Sequence, residues 1–175
     1  MYIEPDMRCK VVQWMYEVGD WLGLGTPTVG KAVYYLDKYL STLRVLRSAV
    51  QFVGTVALVI ASKMEFGAAP SLVELNACAR NSYRIEDLRK MEIYFLNVLN
   101  WQANVLTPHT FTALFLTNVP FDSNVARVYQ HSIFFVDLAL AAYKFHTFKP
   151  SVIGAAAIRC ALTHDKTDTL EIGRA

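Results

Sequence analysis

Phosphate binding is the chemistry that the sequence imitates most directly. The segment from Gly25 to Lys31, GTPTVGK, has the glycines and the lysine of a loop that cradles nucleotide phosphates. That loop requires Ser or Thr directly after the lysine to hold magnesium, whereas this chain has Ala32. The loop should also follow a strand, but the preceding segment, WMYEVGDWLGL, has the apolar period of a helix. These two departures from the phosphate-binding motif argue against an NTPase.

The histidines and cysteines show no metal-binding pattern. They are His109, His131, His146, His164, Cys9, Cys78 and Cys160. No histidine pair has a spacing such as His-x-x-x-His, and no two cysteines lie close together in the chain. We therefore expect no metal and no cofactor. Widely separated cysteines in odd number, without a signal-peptide pattern, predict reduced thiols in a protein of the nucleus or cytoplasm.

A long internal repeat organises the chain. VYYLDKYL at 33–40 returns as IFFVDLAL at 133–140, and VGTVALVIA at 53–61 returns as IGAAAIRCA at 153–161. The repeat is much longer than a solenoid module of roughly 20–50 residues, so it predicts two tandem copies of one domain, residues 1–106 and 107–175. The second copy is short and ends in a polar tail, THDKTDTLEIGRA. We expect this copy to be incomplete, either because its final helices are missing or because the chain is a shortened form.

Apolar residues recur at helical spacing along the chain, and no segment alternates as a strand would. Proline beside Thr or Ser marks the expected helix starts, with Thr26 and Thr107 placed to cap. The third helix of each copy is rich in Gly and Ala, which predicts a central helix wrapped closely by the others. We therefore predict an all-α fold with helices near 7–21, 27–41, 46–66, 71–79, 84–99, 108–118, 122–145 and 150–163.

The composition predicts a protein partner. Hydrophobic residues make up 54% of the chain and charged residues only 18%, against roughly 25% in an average protein. Such a balance predicts exposed apolar surface, which usually marks an interface. The net charge of +2 is too small to argue for nucleic acid. The longest uncharged run, from Ser48 to Ser62, is shorter than a bilayer requires, so we expect no membrane association.

Two charged residues interrupt apolar helix faces in the first copy. Glu92 lies four residues after Leu88 and three before Phe95, and Lys63 lies four residues after Val59. A charge in such a place needs a partner, because unpaired burial costs several kcal/mol. The two residues either bind each other in a salt bridge that closes the first copy, or stand at its rim and present polar groups to another protein's backbone. Spacing alone favours the salt bridge.

Arg8 and Asp37 pose the same question on the first and second predicted helices. Asp37 lies four residues after Val33 and three before Leu40, within an apolar face. We expect Arg8 and Asp37 to form a structural ion pair that ties the two helices together.

Several segments, in order along the chain, resemble a cyclin box. They are MRCKVVQWMYEV at 7–18, YYLDKYL at 34–40, VQFVGTVALVIASKME at 50–65, KMEIYFLNVLNW at 90–101 and LTPHTF at 106–111. FKPSVIGAAAI at 148–158 is similar to the third helix of the second cyclin repeat. The resemblance extends over about residues 7–163. WMYEV, ASKM and LTPHTF are most similar to the D-type cyclins.

The resemblance implies tandem five-helix repeats and a regulatory function without catalysis. A cyclin binds a cyclin-dependent protein kinase and turns its regulatory helix inward, which completes the kinase's Lys–Glu ion pair and so controls cell-cycle progression. By position, Lys63 and Glu92 match the pair that hydrogen-bonds the kinase backbone, so the resemblance favours the rim interpretation over the internal salt bridge. Arg8 and Asp37 match the family's internal ion pair.

Some cyclins also dock substrate peptides on an apolar patch of the first helix. The matching positions are Met7, Val11, Trp14, Glu17, Val50 and Gln51. Lys10 departs from the pattern, because that position is normally apolar, and Trp14 is equally interpretable as an ordinary core residue. Substrate docking peptides are therefore a second expected class of partner.

The resemblance also leaves an alternative function open. The cyclin fold is similar to that of a general transcription initiation factor and of retinoblastoma-type pocket proteins, which bind DNA or peptides without a kinase. A basic stripe for phosphates would consist of Lys31, Lys38, Arg44 and Arg47, although solvated helix faces carry such residues routinely. The alternative is a cyclin-fold adaptor that binds nucleic acid or a peptide partner in transcription.

Overall fold

The structure, a computed structural model, describes residues 3–65, 69–117 and 125–172, with side chains as far as residue 164. The described residues form eight α-helices: α1 (Pro5–Leu22), α2 (Thr26–Thr42), α3 (Val50–Met64), α4 (Leu72–Cys78), α5 (Ile85–Val98), α6 (Pro108–Leu116), α7 (Val125–Ala141) and α8 (Pro150–Ile172). They contain no strand, which confirms the prediction of an all-α fold. None of the described helices combines the length and the apolar character needed to cross a membrane.

Three helix bounds differ from those expected. α3 begins at Val50, because residues 47–49 form a separate 3₁₀ turn before it. α7 ends at Ala141 and a second 3₁₀ turn follows at 143–145, while the first residues of the predicted helix, 122–124, lie outside the described ones. α8 continues past residue 163 to Ile172, because residues 164–172 contain neither Gly nor Pro to stop a helix.

The helix caps correct one expectation. Thr26 is not a cap: it lies in the first turn of α2, and Gly25 before it has the extended backbone of the N-cap. Thr107 does cap α6, where its hydroxyl accepts from the backbone N–H of Thr110. Ser71 forms a reciprocal capping box with Glu74 at the start of α4. The pattern of Thr followed by Pro therefore has two outcomes in one chain.

The chain divides into two compact units, Met1–Val105 and Leu106–Ala175. In the first unit α3 is the central helix: every residue from Val53 to Ser62 is buried, and α1, α2, α4 and α5 pack around it. In the second unit α6, α7 and α8 pack against one another. These three helices lie one hundred positions after α1, α2 and α3, so they are the structural counterparts of those helices in the repeat.

Glycine permits a close helix crossing at corresponding positions of the two units. A Cβ atom at Gly54 on α3 would lie 3.1 Å from Cγ1 of Val11 on α1. At the corresponding Gly154 on α8, a Cβ atom would lie 3.0 Å from the carbonyl oxygen of Pro108 and 3.1 Å from Oγ1 of Thr112, both on α6. Such contacts are tighter than a side chain normally allows. A larger residue at either crossing would therefore push the neighbouring helix away.

We expect Gly154→Val to lower the free energy of unfolding by about 1–3 kcal/mol, because the added carbons must push α6 away from α8. Ala155→Val, at the exposed neighbouring position of the same helix, should cost less than about 0.7 kcal/mol, the range of intrinsic helix propensity. Urea unfolding followed by far-ultraviolet circular dichroism measures both. Equal losses in the two variants would contradict the crossing at Gly154.

Candidate partner-binding site

The structure brings Lys63 and Glu92 together at the end of α3. Nζ of Lys63 lies 2.6 Å from Oε1 and 2.8 Å from Oε2 of Glu92, so the ammonium donates to both carboxylate oxygens. The two side chains differ in exposure, 51% for Lys63 and 15% for Glu92. The carboxylate therefore lies largely inside the unit, while the ammonium reaches the solvent at its edge.

The sequence on both helices fixes this position. Lys63 is the first exposed residue after the buried run of α3, so its side chain stands where the apolar core ends. Glu92 lies on the face of α5 that carries the buried Leu88 and Phe95. The residues that follow the two charges, Met64 and Ile93, are large, apolar and exposed. Charged groups beside exposed apolar residues are typical of a surface that contacts another protein.

A second ion pair lies at the same end of α3, and the sequence analysis did not predict it. Nζ of Lys31 on α2 lies 2.6 Å from Oε1 of Glu65, the residue that follows α3. The sequence pattern does not indicate this pair, because Glu65 lies outside the helix and no apolar spacing relates it to Lys31. The pair removes one net positive charge from the basic stripe that was considered for nucleic acid.

A buried tyrosine stands close to this second pair. The hydroxyl of Tyr35 on α2 donates to the backbone carbonyl of Ala103. Burial, with a contribution from the negative charge of Glu65, raises the pKa of Tyr35 to about 12. The hydroxyl therefore keeps its proton at neutral pH and remains a donor, which ties α2 to the segment after α5.

Arg8 and Asp37 form a bidentate pair between α1 and α2. Nε of Arg8 lies 2.8 Å from Oδ1 of Asp37, and Nη2 lies 2.7 Å from Oδ2. The Arg8 side chain is only 3% exposed. Burial alone would lower the pKa of Arg8, but the hydrogen bond and charge of Asp37 outweigh it and the pKa is raised. The guanidinium is thus held charged inside the unit.

The second unit has a counterpart of this pair that the sequence analysis missed. Nε2 of His109 on α6 lies 2.8 Å from Oδ1 of Asp137 on α7, and the His109 side chain is 1% exposed. Asp137 matches Asp37 in the internal repeat, and this match could have predicted that Asp137 also has a charged or polar partner. The helix pair α6–α7 thus uses a histidine where α1–α2 uses an arginine.

Removal of the carboxylate in Asp37→Ala should lower the free energy of unfolding by about 3 kcal/mol, because Arg8 keeps its charge in a buried place. The matched control is Glu65→Ala, which breaks an ion pair with a more exposed carboxylate and should cost less than about 1 kcal/mol. Chemical denaturation of both variants provides the comparison. If Asp37→Ala lowers the free energy of unfolding no more than Glu65→Ala does, the buried charge of Arg8 does not need Asp37.

Three of the six residues expected in a substrate-docking patch line one surface cavity. Trp14, Glu17 and Gln51 border a cavity of about 600 Å³ together with Trp21 and residues of α4 and the turn after it. Trp21 was missed, although its spacing of seven residues from Trp14 places both on one side of α1. The cavity combines indole surface with one acidic residue, Glu17, and one basic residue, Arg80.

The other three expected residues do not line that cavity. Val11 and Val50 are buried in the core of the first unit, and Met7 is partly exposed on α1 away from the cavity lining. Lys10 is exposed on the same helix. The cavity is thus bordered by Trp14 and Trp21 of α1, together with Gln51 of α3 and residues of α4.

Within the described part of the chain, no three His, Cys, Asp or Glu side chains converge as metal ligands would. The candidate site is accordingly a surface of charged and apolar groups.

The family follows from comparison with known proteins. The family model of the cyclin N-terminal domain matches residues 1–104, and that of the cyclin C-terminal domain matches residues 106–170. The chain belongs to the cyclin family. Members of this family are regulatory subunits without enzymatic activity, as the sequence predicted.

Curated relatives cover more than one cyclin type. G1/S-specific cyclin-D1 of Mus musculus is 32% identical over 161 residues, which are 91% of this chain and 55% of the relative. G2/mitotic-specific cyclin-2 of Medicago sativa is 33% identical over 155 residues, 89% of this chain and 46% of the relative. D-type features are thus consistent with the matches. The chain spans about half the length of these relatives.

Solved structures agree on the fold. A viral cyclin from herpesvirus saimiri aligns with a TM-score of 0.85 at 18% identity, over 95% of this chain and 73% of that chain. A chain of the CAK complex from Chaetomium thermophilum bound to ATP-gamma-S aligns with a TM-score of 0.66 at 19% identity, over 92% and 54%. The predicted cyclin fold is confirmed.

Proposed function

We propose that this chain binds a cyclin-dependent protein kinase through the first unit and activates it by positioning the kinase's regulatory helix. The observation that carries the proposal is the Lys63–Glu92 pair at the edge of that unit, at positions that match the kinase contacts of the family. D-type and mitotic relatives and a chain of the CAK complex are similar to this chain, which supports a partner of the same class.

The internal salt bridge and a kinase contact are compatible. A lysine ammonium has three N–H donors, and two of its directions are used on the Glu92 carboxylate. A half-exposed ammonium of this kind can hold its carboxylate and at the same time donate its remaining N–H to a carbonyl oxygen of a partner. Glu92 has two oxygens with about four lone-pair sites, so it can likewise bind Lys63 and one backbone N–H of a partner. The salt bridge then orients both groups before the kinase arrives.

Exposed apolar residues around the pair support the same proposal. Met64 and Ile93 adjoin the two charges in the chain, and Tyr94 on α5 is half exposed while its ring packs on Tyr39. Desolvation of such residues around a charge-assisted contact strengthens it, because water no longer competes for the same donors and acceptors. Nucleic-acid binding has no comparable support, since Lys31 of the basic stripe is engaged by Glu65.

The test is phosphorylation of a peptide by purified cyclin-dependent kinases with this chain added. We expect the parent chain to stimulate at least one kinase. Lys63→Ala and Glu92→Ala should each weaken binding by about 2–5 kcal/mol, at least about 30-fold, because one desolvated charge-assisted contact is lost. Lys31→Ala breaks the neighbouring ion pair and should stimulate like the parent, provided circular dichroism shows all variants to be folded.

A charge exchange separates the two roles of the pair. Lys63→Glu combined with Glu92→Lys can restore the salt bridge but reverses the donor and the acceptor offered to the kinase backbone. We expect the double variant to be folded and still inactive. Recovery of stimulation in the double variant would mean that the pair acts only within the chain, and absence of stimulation by the parent with every kinase would reject kinase activation.

The cavity between Trp14 and Trp21 is proposed as the docking site for an apolar substrate peptide that also carries a basic residue. The indole walls provide apolar contact, and Glu17, which lines the cavity together with Arg80, provides the charge for the basic side chain. Trp14→Ala should weaken such a peptide by at least about tenfold, as truncation of a central Trp typically does. Lys38→Ala, an exposed change on α2 outside the cavity lining, is the control.

Steady-state kinetics of the chain–kinase pair measures this effect. With a substrate that carries the docking peptide, Trp14→Ala should raise KM and leave kcat unchanged. With a short substrate that lacks the peptide, the variant should match the parent. Equal kinetics of parent and Trp14→Ala on both substrates would exclude docking in this cavity.

A further inference from the structure

A turn with a left-handed backbone brings an arginine to the cavity beside Trp14. Arg80, in the turn after α4, lines this cavity together with Trp21 and Glu17. Arg80 and the next residue, Asn81, have φ angles of 56° and 54°. Glycine adopts this backbone without steric cost and asparagine adopts it fairly often, whereas arginine rarely does. A long side chain kept at such a position indicates a function for that side chain.

The unusual backbone is fixed by the contacts around it. The buried amide of Asn76 donates to the carbonyl oxygen of Tyr83 at 2.8 Å and accepts from the N–H of Tyr83 at 3.2 Å. The N–H of Asn81 donates to the carbonyl oxygen of Asn76 at 2.8 Å. The ring of Tyr83 packs on that of Phe52 on α3, 4.7 Å from centroid to centroid. The turn is therefore tied to α4 and to α3, and it holds Arg80 at the cavity.

The cavity carries two opposite charges that do not pair with each other. Among the residues that the structure describes, none forms a salt bridge with Glu17 or with Arg80. Both residues are exposed, and Glu17 has one long hydrogen bond, 3.4 Å from Nε2 of Gln13. An exposed guanidinium can bind a carboxylate through two parallel N–H···O bonds. The cavity thus offers a charge of each sign beside indole surface.

We propose that Arg80 selects docking peptides that carry an acidic residue in addition to their apolar and basic residues. The apolar residues contact Trp14 and Trp21, the basic residue faces Glu17, and the acidic residue faces Arg80. The inference rests on the docking function proposed above and defines the charge pattern of the peptide. Because an exposed ion pair contributes modestly, Arg80 decides between peptides and does not decide whether a peptide binds.

The probes are short labelled peptides with one arginine, two leucines and one aspartate, in which the place of the aspartate is varied. Matched peptides carry asparagine or lysine instead of the aspartate. Fluorescence anisotropy with the whole chain should reveal a place at which the aspartate peptide binds about two- to fivefold more tightly than the asparagine peptide. This preference should shrink when salt rises from about 50 to 500 mM, because the charges are at the surface.

Two glycine substitutions in the turn are the matched variants. Glycine keeps the left-handed backbone at either position, and of the two residues only Arg80 lines the cavity. Arg80→Gly should bind the aspartate and asparagine peptides equally, at the parent's affinity for the asparagine peptide. Asn81→Gly should retain the parent's preference for aspartate. Arg80→Glu should reverse it and favour the lysine peptide.

The outcomes separate the role of Arg80 from docking itself. If the peptides bind and Trp14→Ala weakens them, but the parent shows no preference for aspartate at any place, the role of Arg80 is rejected and docking stands. The same conclusion follows if Arg80→Gly retains the preference. If no peptide binds at about 100 µM, docking in this cavity and the role of Arg80 are both rejected.

Discussion

The first unit depends on the burial of α3. This helix is apolar on all sides, so it is stable only where other helices cover its whole circumference, and α1, α2, α4 and α5 do so. Gly54 lets α1 approach closely enough to complete that cover. The position of the Lys63–Glu92 pair follows from the same constraint. The buried run of α3 ends just before Lys63, which is the first charged residue after it, and Glu92 of α5 pairs with Lys63 there.

Much of the fold was predictable because apolar periodicity reports helix faces directly. It does not report where a helix begins or ends. The start of α3 was predicted too early, because a 3₁₀ turn and an α-helical turn place apolar residues almost alike. The end of α8 was predicted too early, because a polar helix without Gly or Pro has no residue that signals its end. Thr26 and Thr107 each precede a proline, yet Thr107 caps and Thr26 does not, because Gly25 takes the N-cap backbone first.

The candidate site was only partly predictable for a different reason. Spacing identified Lys63 and Glu92 as charges in apolar faces, but it treated an internal salt bridge and a partner contact as exclusive, which the donor count of an ammonium does not require. Lys31 and Glu65 gave no signal, because their contact depends on how α2 packs on the end of α3. The cavity beside Trp14 includes Trp21 for a similar reason: α4 and the turn after it define the cavity, and no pattern in α1 indicates where they lie.

The two units share an ionisable pair between their first two helices and a helix crossing at a glycine, but they differ in one respect. Each ties its first two helices with a buried ionisable pair, Arg8–Asp37 or His109–Asp137, and each crosses helices at a glycine, Gly54 or Gly154. In the first unit α5 packs on both α2 and α3, whereas in the second α7 and α8 border an apolar groove. The chain's low charged content is therefore more than a property of its cores. Part of it is exposed apolar surface, at Leu138 and Val152 of this groove and at Met64 and Ile93 beside the Lys63–Glu92 pair.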